Sequence, residues 1–560
     1  MQKLATKLLE DTISFLGERP DTRSLSVPDP DSWNSDFPNL EKVISLSDNN
    51  TADKSKGRIC IATEDIVGPI RNGGIGTTYS FLSRMLAENG YDVSILYLRG
   101  SHSENGPIED WVDYYADFGV KFVPVPDRFT DSHAHSEATR WLAPMYNLYL
   151  YLLEHPFDLV HVSEWRGSGY IAMLARKQGI ALQNTKFLVK CSSPWLWNRL
   201  YGNHTINESI DVLKIYCERR SVELGDHVIG GSAHLIRWMK TQGYQVKQDS
   251  TFVQPNVVIT DDLEEIAKNR TISFGDTVSV EEIVFFGRLE SRKGLQVFCE
   301  AIQKLVDKGV SIPPISFMGK EGSRLESRPE LPILDYISEA TKDWGVEIQI
   351  HTSFQQQQAL GYLMTENRLA VMPSLIENSS LAVYEACICG IPFLASNSGG
   401  TPEIMKGEYH DRVLFDPHPV PLSHLIEKVL INGAVVAECA FSNDRNNEIW
   451  LDYHRTMLQQ AAKEKEIVEE SDRIKEPISL DFLIYHTGDL RALEITLETL
   501  ENHIGNDVGV IVLDDFSVDP TRRVRGTTIY DKYHAKSNCC LLYTSPSPRD
   551  ATLSRMPSSA

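Results

Sequence analysis

Two acidic residues mark the part of the chain whose residue types are best suited to chemistry. Glu377 lies in the stretch PSLIENSS, directly after the apolar run LAVM, and Glu385 follows inside the apolar segment LAVYEA. A carboxylate within an apolar run is rare unless a partner satisfies it. Hydroxyl groups of a ribose or hexose are suitable partners for such a pair. A structural or helix-dipole role for Glu377 is the alternative.

A basic turn precedes this pair in the sequence. The segment GRLESRKG follows the apolar run EEIVFF and places Arg288 and Lys293 at the end of a predicted strand. Two cations at one strand end can converge on a single anion in a cleft. A solvated charged turn is the alternative for this motif taken by itself.

A glycine loop occupies a third predicted strand end. Gly73, Gly74 and Gly76 lie between the run RICIA and a helical segment. Glycines let the backbone approach a ligand, and the next helix offers N–H groups to an anion. Tyr79 stands where a dinucleotide fingerprint needs a third small residue, so the loop disfavours nicotinamide binding. A purely steric role for the glycines stays open.

The elements that must position these residues are alternating strands and helices. Residues 57–255 and 256–440 each show this alternation, which predicts two α/β domains with parallel sheets. The segment QPNVV forms a short hinge between them. Ligands of open parallel sheets bind beyond the carboxyl ends of the strands, so we expect a cleft between the two domains. A further turn, Gly399-Gly400-Thr401, follows the strand IPFLAS at the same edge.

The remaining segments are predicted to be accessory. Residues 1–56 are expected to form a leader or linker with one helix, and residues 441–476 a long helix and linker. Residues 477–539 show another strand, helix and strand. Residues 540–560 contain CLLYTSPSPRD, which back-translates to a transposase-type sequencing-library adapter. We therefore expect this tail not to be natural protein; a disordered Ser/Pro-rich tail is the alternative.

Composition limits the functional classes. The formal net charge of −22 disfavours general binding of nucleic acid, which needs a basic surface. No apolar run approaches the roughly 20 residues of a membrane span, although peripheral membrane contact stays open. The nine cysteines are scattered without metal-ligand spacing, so we expect reduced thiols and a cytoplasmic location.

The ordered set GGIG, GRLESRKG, E-x7-E and SGGTPE resembles the retaining family 4 glycosyltransferases, relatives of glycogen and sucrose synthases. The resemblance covers about residues 57–468. It implies the GT-B fold, in which two doubly wound, Rossmann-like domains face a cleft. The first domain would bind the acceptor, a glycan or lipid-linked glycan, and the second the nucleotide-sugar donor.

The resemblance also implies roles for the residues above. Arg288 and Lys293 would hold the donor diphosphate, and Glu377 would face the donor sugar. The donor-binding residues would be Glu385 at the ribose, with Gly73, Gly74, Gly76, Ser379, Ser380, Gly399, Gly400 and Thr401. The leaving diphosphate would take the acceptor's proton, and its charge would be stabilised by the two cations. Neither a metal nor a cofactor is expected.

Three residues are acceptor-side candidates. His161 and Glu164 lie at a strand end in HVSEW, and a role as ordinary strand-end polar groups explains them equally well. Ser192 stands where relatives of this family often carry a histidine, which puts the usual donor contact there in doubt.

The segment from 477 resembles the opening of an inverting family 2, GT-A-type domain, with Asp514 and Asp515 as its acidic pair. A piece of this length cannot bury enough core to assemble a site. Two other functions stay open for the whole chain. One is a sugar-nucleotide epimerase with the same two-domain fold, and the other is a non-catalytic sugar-nucleotide-binding or scaffold protein.

Overall fold

The computed structural model describes residues 37–45, 57–71, 73–128, 137–201, 206, 208–259, 272–325, 327–365, 367–472, 481–486, 490–503, 509–514 and 539–543. The chain divides into two compact units, Met1–Lys465 and Glu466–Ala560. Among the described residues, none of the helices combines the length and the apolar character needed to cross a membrane.

The first lobe of the larger unit is built on a seven-stranded parallel sheet with the order β3-β2-β1-β4-β5-β6-β7. Its inner strands are buried almost continuously, because helices cover both faces of the sheet. The strands are β1 Arg58–Thr63, β2 Asp92–Tyr97, β3 Lys121–Pro124, β4 Leu159–Ser163, β5 Lys186–Cys191, β6 His227–Gly230 and β7 Thr251–Val253. The helices are α1 Glu41–Ser45, α2 Gly74–Glu88, α3 Ile108–Ala116, α4 Glu137–Glu154, α5 Tyr170–Lys177, α6 Trp195–Tyr201, α7 Ser209–Leu224 and α8 Ala233–Thr241.

The second lobe repeats this plan with a six-stranded parallel sheet of order β11-β10-β9-β12-β13-β14. A short antiparallel pair, β8 with β15, lies beside it. The strands are β8 Thr277–Val278, β9 Glu282–Phe286, β10 Ile315–Met318, β11 Ile348–His351, β12 Arg368–Met372, β13 Phe393–Ser396, β14 Leu414–Phe415 and β15 Ala434–Val435. The helices are α9 Leu295–Asp307, α10 Ile333–Thr341, α11 Gln356–Met364, α12 Leu381–Ile388, α13 His410–Val413 and α14 Pro419–Asn432.

Both sheets reverse their strand order at one point, between β1 and β4 in the first and between β9 and β12 in the second. Such a reversal leaves a crevice at the carboxyl ends of the strands, where ligands of doubly wound folds bind. The prediction of two Rossmann-like, doubly wound domains of the GT-B type is confirmed.

The long helix α15 Asn443–Asp472 follows the second lobe and packs on the first. The indole N–H of Trp450 donates to the carbonyl of Pro255 at 2.8 Å. The Nε2 atoms of His454 and His161 are 2.8 Å apart, and both imidazoles are fully buried. Burial lowers the pKa of both rings, so each stays neutral in the folded chain.

Part of the predicted leader belongs to the first lobe. Phe37, Leu40 and Val43 are buried, and the backbone N–H of Leu40 donates to Gln254 Oε1 at 3.3 Å. The backbone N–H of Val253 in β7 donates to the carbonyl of Pro38 at 3.0 Å, so this segment is fixed at the edge of β7 and does not act as a free linker. Residues 1–36 and 46–56 of the predicted leader lie outside the described residues.

The smaller unit contains a three-stranded parallel sheet of order β16-β17-β18 and one helix. Its elements are β16 Asp481–His486, α16 Leu490–His503, β17 Gly509–Asp514 and β18 Cys539–Tyr543. Asp514 ends β17, whereas Asp515 lies outside the described residues.

Strand β18 overlaps the tail that resembles an adapter translation, where the sequence predicts no strand. The segment CCLLY is apolar, and β17 offers it a row of backbone hydrogen-bonding groups. An apolar segment can fill such an edge whatever its origin. The rest of the tail, residues 544–560, lies outside the described residues.

Candidate active site

The basic turn after β9 is held against the loop after β12. Gly294 has φ +75°, and a Cβ there would lie 1.8 Å from the carbonyl oxygen of Pro373, so only glycine allows this approach. The backbone N–H of Leu375 donates to the carbonyl of Arg292 at 2.8 Å. Two loops that are separate in sequence thereby form one surface at the carboxyl ends of β9 and β12.

Glu377 is the centre of a charge cluster on this surface. Its carboxylate forms an ion pair with Lys293, and Arg292 Nη1 lies 3.7 Å from Glu377 Oε1. Burial would raise the pKa of Glu377, but Lys293 and Arg292, with hydrogen bonds from Lys293 and Ser374, more than offset this and lower it. Glu377 is therefore ionised at neutral pH.

Arg292 is a functional candidate that the sequence interpretation missed. It contacts both Glu377 and Glu290, with Arg292 Nη2 3.4 Å from Glu290 Oε1. Its position beside Lys293 in GRLESRKG carried the signal, but spacing alone does not reveal which of the turn's arginines faces the cleft. The structure shows that both Arg288 and Arg292 do.

A cleft of about 730 Å³ separates the two lobes and collects most of the predicted site. Gly73 and Gly74 lie opposite the basic turn, and a Cβ on Gly73 would be 3.6 Å from Arg288 Nη2. Nine predicted site residues line the cleft: Gly73, Gly74, Ser192, Arg288, Lys293, Glu377, Ser379, Ser380 and Glu385. Gly76 is instead buried inside the first turns of α2.

Glu385 projects from α12 into the cleft wall and is only 6% exposed. Burial raises the pKa of its carboxyl to about 7, and a hydrogen bond from the Gln356 amide partly opposes that shift. Gln356, at the start of α11, is a second lining residue that the sequence interpretation missed. At neutral pH, Glu385 therefore exchanges a proton and can bind hydroxyl groups as an acceptor.

The turn Gly399-Gly400-Thr401 lies behind the Glu377 loop, outside the cleft lining. Gly399 has φ +64°, and a Cβ there would be 1.9 Å from the carbonyl oxygen of Glu377. The backbone N–H of Gly400 donates to that same carbonyl at 2.9 Å, and Thr401 is buried. The structure thus gives these residues a supporting position, which differs from the predicted direct contact with the donor.

The acceptor-side candidates are arranged differently from one another. Ser192 lines the cleft, and its backbone N–H and that of Ser193 donate to Glu164 Oε1 at 2.7 and 2.6 Å. Glu164 is fully buried, so it shapes this loop from behind. His161 is enclosed by the sheet and α15 and contacts His454. The predicted acceptor-side position of His161 and Glu164 differs from these buried positions.

Contacts between the lobes lie beside the cleft. Asn378 Oδ1 accepts from Ser232 Oγ at 2.6 Å, and Asn378 Nδ2 donates to the carbonyl of Ser192 at 2.8 Å. Glu403 accepts from the backbone N–H groups of Ala233 and His234, at 2.8 and 2.9 Å, at the start of α8. Sequence spacing cannot reveal these contacts, because the partners are more than a hundred residues apart.

Comparison with known proteins agrees with this geometry. Residues 72–262 match the family model described as Glycosyltransferase Family 4, and residues 276–440 match Glycosyl transferases group 1. Each lobe therefore matches a glycosyltransferase family model over most of its length. The glycine loop lies in the first matched region, and the basic turn and both glutamates lie in the second.

The individual relatives are distant from this chain. An uncharacterized glycosyltransferase of Methanocaldococcus jannaschii is 23% identical over 164 residues, which are 28% of this chain and 39% of that protein. Protein CapJ of Staphylococcus aureus is 29% identical over 157 residues, 28% of this chain and 36% of that protein. The matched region thus spans well under half of either relative. The structure of sucrose-phosphate synthase from Thermosynechococcus elongatus is similar with a TM-score of 0.49 and 16% identity, covering 75% of this chain and all (100%) of that one.

Proposed function

We propose that the protein transfers a sugar from a nucleotide-diphosphate sugar to a hydroxyl group of a glycan or lipid-linked glycan, with retention at the anomeric carbon. The observation that carries the proposal is the charge cluster in the cleft. Arg288, Arg292 and Lys293 surround the space beside Glu377, opposite the glycine loop. This combination suits a diphosphate bound next to a polyhydroxylated ring.

The proposed reaction joins the acceptor oxygen to the anomeric carbon and breaks the bond between that carbon and the diphosphate oxygen. The proton of the acceptor hydroxyl leaves on the diphosphate. Arg288 and Lys293 stabilise the negative charge that develops on the leaving group, while Glu377 orients the sugar through its hydroxyls. Glu385 accepts hydrogen bonds from the ribose.

We further propose that the acceptor belongs to a surface polysaccharide and that the reaction takes place in the cytoplasm. The resemblance of the segment after 477 to a second transferase supports the first statement, because two transferase domains on one chain suit successive additions to one glycan. The scattered cysteines support the second.

The direct test is to incubate the full chain with a panel of nucleotide sugars and crude glycan acceptors and to measure nucleoside diphosphate release and sugar incorporation. We expect one donor to give both signals. Binding without release for every donor would favour the non-catalytic alternative. Release of a changed nucleotide sugar without acceptor would favour the epimerase.

The transfer should not require a divalent metal ion, because three side-chain cations already face the leaving group. We expect turnover in EDTA to match turnover without it. Loss of activity in EDTA that magnesium or manganese restores would contradict this mechanism.

A further inference from the structure

The first lobe contributes two arginines to the cleft that the proposed donor site does not use. Arg71 and Arg99 both line the cleft, and Arg71 is exposed. Arg99 Nε donates to the carbonyl oxygen of Glu64 at 2.9 Å, which anchors this guanidinium beside the end of β1. Both residues come from loops that follow β1 and β2, on the wall opposite the donor lobe.

The donor lobe carries its own cations for a diphosphate ester. Its lining residues include four cations, Arg288, Arg292, Lys293 and Lys320, and two carboxylates, Glu377 and Glu385. A third carboxylate, Glu290, lies behind this lining, 3.8 Å from Arg288 and 3.4 Å from Arg292. The donor lobe can therefore meet the diphosphate with several cations of its own, without the arginines of the first lobe.

On the first-lobe wall, Arg71 and Arg99 face a single lining carboxylate, Asp65. Behind this lining, the backbone N–H of Arg71 donates to Glu104 Oε2 at 3.2 Å, and Glu64 is buried. The side chains that line this wall therefore carry a positive balance, although the whole chain carries a formal charge of −22. A local positive surface in an acidic protein concentrates anionic ligands at that place.

An aromatic surface lies on the same wall. The half-buried ring of Trp165 lines the cleft, and the guanidinium of Arg166 lies 4.8 Å from that ring's centroid. Arg166 has φ +65°, a conformation that is costly for a residue with a side chain and is often found at functional sites. A flat aromatic face with polar neighbours is suited to the apolar face of a sugar ring.

We propose that the acceptor is an anionic glycan, whose carboxylate or phosphate group is bound by Arg71 and Arg99 while a sugar ring lies against Trp165. This proposal rests on the transferase function proposed above and names the substrate class of its acceptor side. The anionic group takes no part in bond making or breaking. Its charge is the same before and after transfer, so the arginines act in binding and orientation.

The test uses the full chain with and without saturating nucleoside diphosphate, and titrates glucose, glucuronate and glucose 6-phosphate by calorimetry. We expect at least one anionic sugar to bind about tenfold or more tightly than glucose, because arginines make charge-assisted hydrogen bonds to an anionic group. Glucuronate and glucose 6-phosphate distinguish a carboxylate from a phosphate.

The variants Arg71→Gln and Arg99→Gln should remove most of this preference and leave nucleoside diphosphate affinity within about twofold. Arg99→Lys keeps the charge and should retain most of the preference, and Arg71→Gln alone tests the loss if Arg99→Gln folds poorly. Arg128→Gln is the matched control, because Arg128 belongs to the same lobe but pairs with Glu154 at an exposed site. It should behave as the wild type.

Two results would overturn the proposal. One is equal binding of glucose and both anionic sugars to the wild type. The other is a tenfold loss of nucleoside diphosphate affinity in Arg71→Gln with the anion preference intact, which would assign this arginine to the donor. If no nucleoside diphosphate binds, the transferase proposal fails, while the anion preference is still read from the titration without nucleotide.

Discussion

Lys293 and Arg292 both pair with Glu377, whereas Arg288 Nη1 lies 3.8 Å from Glu290 Oε2. The Lys293–Glu377 ion pair is largely shielded from water, whereas the Arg288 side chain is 44% exposed and reaches towards Gly73. A diphosphate entering the cleft therefore meets Arg288 first and Lys293 behind it. Glu377 fixes the position of Lys293 before any ligand binds, which is the preorganisation that electrostatic catalysis requires.

Replacing Lys293 should mainly affect turnover. We expect Lys293→Ala to reduce nucleoside diphosphate release by about 10²–10³, the usual effect of removing one group that stabilises a developing negative charge. The melting temperature should change little, because Arg292 still pairs with Glu377. Lys308→Ala is the control, since Lys308 pairs with Glu427 at an exposed site of the same lobe. Turnover in Lys293→Ala equal to that of the control would show that Lys293 does not stabilise the leaving group.

We expect the raised pKa of Glu385 to make nucleotide-sugar binding depend on pH. Its folded pKa of about 7 lies above the ordinary value of 4.5, so the folded chain retains a proton that the unfolded chain releases between these values. The contribution of this group to stability therefore falls as pH rises through that window. Hydroxyls of the ribose favour the ionised carboxylate, so binding should weaken as pH falls below 7.

We expect the Kd of the nucleotide sugar to rise about tenfold from pH 7.5 to pH 6 and to change much less in Glu385→Gln. A nucleotide sugar is the correct probe, because its diphosphate ester does not titrate in this range. Parallel pH profiles for wild type and Glu385→Gln, measured by calorimetry, would show that Glu385 does not contact the ligand.

For single residues, the sequence predicts the kind of chemistry at the site better than it predicts the full set of residues that line it. Glu377, Glu385, Arg288 and Lys293 all reach the cleft, because motifs at strand ends are carried there by the topology itself. Arg292 and Gln356 were missed, since each reaches the site through the detailed path of its own loop or helix end. The sequence suggests His161 as a site residue. Its buried contact with His454 is not evident from the sequence, because the two residues are 293 positions apart.

Helix α8 depends on a residue from the other lobe. Its N-terminal N–H groups, on Ala233 and His234, donate to Glu403, which is 5% exposed. A carboxylate at a helix N-terminus is favoured by hydrogen bonding and by the helix dipole. Glu403 therefore links the start of this helix to the contact between the lobes.

We expect Glu403→Gln to lower the free energy of unfolding by about 1–3 kcal/mol, because two charge-assisted hydrogen bonds are weakened in a buried place. Urea denaturation followed by circular dichroism would measure the change. Glu339→Gln is the control, because Glu339 is exposed and lies 3.4 Å from Arg328. Equal stability of the two variants would show that this contact contributes nothing.

For the whole molecule, the alternation of strands and helices is enough to predict two doubly wound domains, because parallel sheets demand helical crossovers. The sequence does not reveal that residues 37–45 pack on the first lobe, since that segment is short and its apolar residues are few. Nor does it reveal β18, which forms because the neighbouring strand offers an edge.

Deleting residues 477–560 should leave donor binding intact. Every described residue that lines the cleft lies in the compact unit Met1–Lys465. We expect the shortened chain to keep the rise in melting temperature that a matching nucleoside diphosphate produces. We also expect it to be more soluble, because β16 and β17 are apolar strands of a small, three-stranded sheet.

Thermal melts of the full and shortened chains, each with and without the nucleotide, make the comparison. If only the full chain were stabilised by the ligand, the segment after 477 would be part of the binding unit.

We expect Asn378 to couple the binding of the two proposed substrates. Its amide contacts Ser192 and Ser232 of the first lobe, and its neighbour along the chain, Glu377, lies in the proposed donor site. A donor that shifts this peptide would also shift Ser192, which lines the cleft on the proposed acceptor side. Thermodynamic reciprocity then fixes the result: the factor by which donor changes acceptor affinity must equal the factor by which acceptor changes donor affinity. Reduction of both factors towards one in Asn378→Ala would identify this amide as the coupling element, and unchanged factors would exclude it.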